Sequence, residues 1–425
     1  MGRKRKKEKI TTQKIELDNK TRILVREDHS NPIISMVAAF RGGRCLETEE
    51  NNGLTSLCMR TLMSGCDGYD LFSLNEELEQ FGISIYPFYG ADTLGLKMNC
   101  ISKHFDKGLE LFRIILLSPT FPEEELEKEK ENLIEDIKKE KDDIFSYSLN
   151  VCRRLVFEDH SYGLPVYGTD ETVSKLNRQA VMDYHKNLFC PRNMVISFVG
   201  DIEAEQARQS IEDNFKDYDF CGEIPEVEKA KKSIKNVKEE TITTEKQQVA
   251  ICIGFHAPSI YSEDFYTFKV LNQVLSGMGS RLFIELRDRQ SLAYSVNSRY
   301  TSYMGGGIFQ AYILTSYKHK EKARLSLLEE VDRLRTRLVT YDELVRAKRY
   351  HLGLFDIGLQ RKISKASKLG FYEIAGQGYD FIDGYSEKIK RITRQKVKRA
   401  AEKYLKPQCY AISILSPATF PKSLR

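Results

Sequence analysis

One order of strand-like and helix-like segments runs through this chain twice, and that repetition limits its fold more than any single motif does. In the first pass, Ile15, Leu17 and Thr21-Arg22-Ile23-Leu24-Val25 read as a hairpin turned at Asp18-Asn19-Lys20. A β-rich apolar run at 33–40 and a buried helix at 54–63, stopped by Gly65 and Gly68, come next. Leu71, Leu74, Leu78 and Phe81 then recur at helical spacing over 70–81, ahead of strands near 83–89 and 93–101. Helices are expected at 105–117, 123–143, 145–157 and 174–187, before a strand at 194–199.

Residues 216–245 are Lys/Glu-rich and poor in large apolar side chains, so they read as a linker. The second pass repeats the order. A strand at 249–255 and a helix at 265–276 lead to two strands that flank Gly305-Gly306-Gly307. Helices at 319–336, 341–357, 360–375, 379–390 and 394–404 precede a last strand at 410–415. The expectation is an α+β fold of two similar halves, 12–215 and 246–425. Each half is expected to pack a mostly antiparallel sheet against a layer of helices.

At 425 residues the chain is too long for one compact core, which agrees with two halves. The formal charge of +5 is misleading. Residues 3–9 hold six basic side chains and one acid, leaving 60 of each sign in the rest of the chain. The basicity therefore belongs to residues 1–11, read as a solvated disordered tail, and the body has no generic nucleic-acid footprint. No apolar run is long enough to span a bilayer, and no apolar stretch follows the basic start as a secretory signal requires. Nine scattered cysteines without a C-x-x-C pair favour free thiols and a reducing, cytoplasmic setting.

Arg287 and Tyr294 lie seven residues apart, between a helical and an alternating pattern. The ordered series Gly43-Arg44-Cys45-Leu46-Glu47, Asn52-Gly53, Phe121-Pro122, Tyr167-Gly168-Thr169, Pro191-Arg192-Asn193-Met194 and Val199-Gly200-Asp201 precedes them. Phe255 to Pro258 and Leu275-Ser276-Gly277-Met278-Gly279-Ser280-Arg281-Leu282-Phe283 complete it. Together these segments resemble one half-enzyme unit of the insulinase/pitrilysin zinc metallopeptidases, over about residues 12–418. That family holds zinc with a His-x-x-Glu-His helix, and no such motif occurs in this chain.

The resemblance places the family's zinc helix between Gly53 and Gly65, thirteen residues inclusive. Its five motif positions fall on Ser56, Leu57, Cys58, Met59 and Arg60. Serine and arginine in place of the two histidines offer no neutral imidazole, and Met59 in place of the general base takes no proton from water. The third ligand position falls on Asp136, with Glu129 earlier on the same helix; beside Arg60, Asp136 is expected to form an ion pair. By resemblance, Arg287 and Tyr294 are a clamp on the scissile carbonyl, donating to the developing oxyanion. Ile83, Ser84, Ile85 and Tyr86, leading to Pro87, fall where the family adds peptides to an edge strand.

The resemblance thus implies a chain that holds no metal and is inactive alone. Zinc is expected in a partner, which is either a homologous subunit or the other half of a longer chain. The two would enclose a peptide chamber. The alternatives are a proteolytically inactive scaffold and a peptide-binding homologue, either of them open to homodimer formation.

Overall fold

The computed structural model describes residues 11–218, 224–231 and 234–418. The basic tail therefore lies almost wholly outside the described residues, as do 219–223 and 232–233 of the expected linker.

The first half begins with β1 (Gln13–Glu16), β2 (Arg22–Glu27) and β3 (Ile33–Arg41). Helix α1 (Leu54–Thr61), a short ribbon of β4 (Gly65–Cys66) and β5 (Tyr69–Asp70), and α2 (Leu71–Gln80) follow. Next come β6 (Ser84–Tyr89) and β7 (Thr93–Ile101). Five helices then intervene: α3 (Phe105–Leu117), α4 (Glu123–Asp142), α5 (Ile144–Val156), α6 (Asp170–Lys175) and α7 (Arg178–Leu188). The half closes with β8 (Met194–Gly200) and α8 (Ala204–Phe215).

The second half has β9 (Lys238–Thr243), β10 (Gln248–His256), α9 (Phe265–Leu275), β11 (Ser295–Ser302) and β12 (Gly307–Ser316). Five helices intervene again: α10 (Lys320–Thr336), α11 (Tyr341–Gly358), α12 (Lys362–Ile374), α13 (Phe381–Lys390) and α14 (Arg394–Tyr404). Strand β13 (Ala411–Ser416) follows them.

The sheet orders are β1-β2-β8-β3-β7-β6 and β11-β12-β10-β13-β9. In each, one pair is parallel, β2 with β8 and β9 with β13, and the rest are antiparallel. The halves are thus the same α+β unit twice, with β1 added to the first. The linker expectation needs correction, because β9 occupies 238–243 and pairs with β13 over six residues. Its polar sequence suits a sheet edge: its residues alternate between half-buried and exposed, and only one side is paired.

The halves are not separable along the sequence. Helix α5 of the first half packs on β10, β12 and β13, while α12 of the second packs on β3, β7 and β8. Hydrogen bonds fix both crossings. Ser413 Oγ donates to Ser148 O at 2.7 Å, and Gln310 Nε2 donates to Leu149 O at 2.8 Å. Reciprocally, Ser197 Oγ donates to Ala366 O at 2.8 Å, and Arg41 donates to Ile374 O at 2.9 Å. Gly254 makes the α5 crossing close: a Cβ there would meet Cys152 Sγ at 2.5 Å. Each half thereby buries one face of the other's sheet, and the main apolar cluster includes Leu24, Val37 and Val195 along with most of the second half's core.

Candidate functional site

Helix α1 starts at Gly53, with φ at +103°, because the chain turns there against the 166–168 loop; a Cβ would meet Tyr167 O at 2.8 Å. The buried Glu47 carboxylate caps its first turn, accepting from Gly53 N at 3.1 Å, Thr55 N at 2.8 Å and Asn52 Nδ2 at 2.7 Å. This cap fixes the helix that carries Ser56, Met59 and Arg60. Ser56 Oγ donates to Val166 O at 3.2 Å, and Met59 is 0% exposed.

Arg60 meets Asp136 of α4 at 2.7 Å, and Glu129 lies 3.9 Å from its other terminal nitrogen. Its Nε donates to Tyr89 Oη at 3.3 Å, and the guanidinium lies 5.3 Å from the centre of the Tyr167 ring. Burial alone would lower the Arg60 pKa; the hydrogen bonds to Tyr89 and Asp136, with the Asp136 charge, more than offset this and hold it above its ordinary value. A permanent cation thus sits where two carboxylates converge. A serine hydroxyl spent on a carbonyl, a thioether, a guanidinium and an already paired aspartate do not make a zinc donor set.

Two adjoining cavities, of about 290 and 410 Å³, open beside this pair and share Glu140 and Asn150. Asp136 and Tyr167 line the second. Asn150 donates to the Glu140 carboxyl. Burial raises the pKa of that carboxyl, partly opposed by the Arg153 and Arg44 charges. Tyr89, Tyr167, Glu140 and Asn150 escape sequence reasoning, since they reach the site from four separate elements.

Among the described residues one His/carboxylate group has ligand atoms within 4.8 Å of one another, Glu27, His29 and Glu203, at the C-terminal end of β2. Its members are already engaged: His29 pairs with Asp201 at 2.8 Å and Glu27 accepts from Ala204 N at 2.9 Å.

The second set of residues lies in the other half. Residues Phe283–Arg289 form a π-helix, with Gln290 N donating to Glu285 O at 3.1 Å across five residues. Such helices are rare and concentrate at functional sites. Ser291 follows with φ at +52°, an uncommon conformation for a non-glycine residue. Arg281 braces the segment through a two-pronged pair with Glu343, at 2.6 and 2.9 Å. Arg287 is exposed, its guanidinium 5.0 Å from the centre of the Phe283 ring. Tyr294 is 59% exposed, while its backbone N donates to Leu314 O at 2.9 Å and continues the β11–β12 pairing. Neither side chain shares a hydrogen bond, ion pair or ring contact with Ser56, Met59, Arg60 or Asp136 among the described residues. The chain therefore does not bring its two candidate sets together.

Strand β6 is an edge of the first sheet, bonded only to β7. It begins at Ser84; Ile83 lies just outside it, its N bonded to Leu78 O at 2.9 Å. Ile85 points into the core and Tyr86 is exposed. At its far end, Tyr89 reaches Arg60, so the edge runs directly to the altered metal position.

A duplicated α+β fold, with a metal-type helix pair in one half and an open Arg/Tyr pair in the other, defines a peptidase-like class. A family model described as insulinase (peptidase family M16) matches residues 22–170, and one described as the peptidase M16 inactive domain matches residues 175–350. The chain belongs to the insulinase family, peptidase family M16, as a member that lacks the zinc motif. It is 26% identical over 393 residues to the uncharacterized zinc protease YmxG of Bacillus subtilis, covering 92% of this chain and 95% of that one. An uncharacterized zinc protease of Rickettsia felis is 24% identical over 308 residues, 72% of this chain and 74% of its own. Among solved structures, the peptidase M16 inactive domain from Pseudomonas fluorescens superposes with a TM-score of 0.89 at 18% identity, covering 97% of this chain and 100% of that one. A protease from Helicobacter pylori gives the same TM-score at 16% identity, covering 96% and 100%.

Proposed function

We propose that this chain is the non-zinc partner in an insulinase-type metallopeptidase, combining with a zinc-bearing homologue to hydrolyse peptides in a shared chamber. The contrast between the two sets of residues carries the reading. Arg60 and its carboxylates neutralise one another, whereas Arg287 and Tyr294 stand open on a strained, braced segment. Arg287 would donate from its guanidinium and Tyr294 from its phenol to the oxygen of the scissile carbonyl as charge develops there. The open edge of β6 would take the peptide as an added strand, with Tyr86 beside it. Metal chemistry belongs to the partner in this reading, and no step passes through the Arg60 position.

The test mixes this chain with a zinc-bearing homologue from the same genome and follows cleavage of a quenched fluorescent peptide. The expected result is a silent chain that restores or raises the homologue's activity, and that loses this effect when Arg287 or Tyr294 is replaced. Stoichiometric zinc and activity in the isolated chain would overturn the reading. Peptide affinity without any effect on a homologue's activity would favour a peptide-binding role instead.

A further inference from the structure

Positive charge is concentrated at one end of the second half. Residues 388–403, the end of α13 and most of α14, contain eight Lys/Arg and one acid, Glu402, in a body that is charge-balanced only when this segment is counted. Local pairing does not absorb this charge. Lys390 pairs with Glu387, Lys398 with Glu402 and Lys403 with Asp264. Arg391, Lys396 and Arg399 are exposed and have no carboxylate within ion-pair distance among the described residues. With Lys388 they line a cavity of about 370 Å³, whose acids are Glu263 and the already paired Asp264.

The placement also runs against helix electrostatics. The first turn of α14 holds Arg394 and Lys396 and no acid, where the helix dipole disfavours cations. By contrast α4 opens on Glu123, Glu124 and Glu125, and α11 on Asp342 and Glu343. Lys396, kept there at a local cost, and its neighbours Arg391 and Arg399, all exposed and without a carboxylate partner among the described residues, point to an anion from outside the chain.

An apolar tip adjoins them. Arg394 Nε donates to Val339 O at 2.5 Å, and Lys348 Nζ donates to Lys390 O at 2.7 Å, which ties the α10–α11 turn and α11 to this end. In that turn Val339 is buried, while Leu338 is 40% and Tyr341 70% exposed. Arg337 beside them is exposed too. A leucine and a tyrosine projecting among unpaired cations match the headgroup boundary of a bilayer, where an aromatic ring and its hydroxyl are both accommodated. A purely hydrated polyanion would gain nothing from the leucine.

We propose that this end of the second half, from the Leu338/Tyr341 tip to Arg391, Lys396 and Arg399, is a peripheral docking surface for an anionic phospholipid bilayer. The cavity among the four cations would seat one headgroup phosphate. Contact is superficial, since no helix among the described residues is long and apolar enough to cross a membrane. The inference does not depend on the peptidase reading.

The test is co-sedimentation of the full chain with phosphatidylcholine vesicles, with and without phosphatidylglycerol, over a range of salt. Binding is expected only to the anionic vesicles and should weaken as salt rises. Arg391→Gln/Lys396→Gln should lower affinity about twenty-five-fold, at roughly a factor of five per cation near the surface. Leu338→Gln/Tyr341→Gln should lower it as well. Lys103→Gln/Lys138→Gln and Phe72→Gln, exposed residues away from this end, should leave binding unchanged. Matching melting curves would confirm that each variant is folded, and Arg391→Lys/Lys396→Arg should bind like the wild type. Failure to bind anionic vesicles at low salt would overturn the proposal. So would equal losses in the control variants, or binding to duplex DNA in place of vesicles.

Discussion

The Arg60 cluster and the Arg287/Tyr294 segment occupy opposite halves of a duplicated fold and treat charge in opposite ways. Arg60 is enclosed by Asp136, Glu129, Tyr89 and Tyr167, so its field is spent inside the first half. Among the described residues Arg287 has the face of Phe283 beside it and no ion-pair partner, and Tyr294 presents its ring to solvent. The supporting structure is reversed as well. The enclosed cluster sits on a regular, well-capped α-helix, whereas the open pair has Arg287 within a π-helix and Tyr294 just beyond a serine in an unfavourable backbone conformation. A closed charge cluster stabilises its own half and offers little to a ligand. An open pair held by strained backbone contributes little to stability and is available to something outside the chain.

The sharpest way to break that comparison is to remove the open pair. Arg287→Ala or Tyr294→Phe should cost about 10²–10³ in partner-dependent peptide hydrolysis, the scale of one lost oxyanion donor. Thermal stability should hold within about 0.5 kcal/mol, because both side chains are exposed. Unchanged hydrolysis in a responsive mixture would remove the clamp role and leave a scaffold.

Acid should act on the framework under both regions alike. His185 on α7, which packs against α1, is buried, and its Nε2 donates to Leu116 O at 3.0 Å. Burial pushes its pKa down to about 4, the carbonyl bond opposing only in part. His351 on α11 is also lowered to about 4, by burial and by the Lys269 and Lys368 charges. In each case the folded pKa lies below the unfolded value near 6.5, so the unfolded chain takes up the proton first. Stability is therefore intact above about pH 6.5 and falls as pH drops towards 4. The loss is of the order of 3 kcal/mol for His185 and less for the partly solvated His351. Urea unfolding across that range should show the slope, and His185→Gln, which keeps a donor for Leu116, should flatten it. A pH-independent midpoint would contradict the buried neutral state.

Sequence periodicity locates most of the helices and strands, though not α8, because each amphipathic stripe reports which face is buried. It does not say against what. Nothing in the apolar pattern of 145–157 or 360–375 tells that α5 and α12 each cover the other half's sheet; Gly254, which makes room for Cys152, is the one local trace. The polar run 238–243 hides β9, since pairing with β13 outweighs its weak strand propensity. The π-helix is equally invisible, its apolar spacing being compatible with an α-helix. The Arg60–Asp136 pair could be anticipated by placing two helices from a resemblance. Tyr89, Tyr167 and the Glu140–Asn150 contact could not, because an edge strand, a loop and the packing of α4 on α5 bring them in.

Two smaller changes probe the closed cluster. Asp136→Ala would leave Arg60 facing only the more distant Glu129 and should cost about 1–3 kcal/mol, reduced because both side chains keep some solvent contact. Asp136→Asn keeps an acceptor and should cost less. Neither should change partner-dependent hydrolysis beyond what reduced stability explains. Tyr89→Phe removes only the 3.3 Å bond to Arg60 Nε and should cost about 0.5–1 kcal/mol in chemical unfolding. This last change also separates two roles of one strand. If the open edge of β6 receives peptide, losing the Tyr89 hydroxyl at its end should leave peptide affinity unchanged while stability drops slightly. If affinity falls in proportion to stability or more, the edge and the altered metal position act as one unit, and the division between a closed and an open region fails at Tyr89.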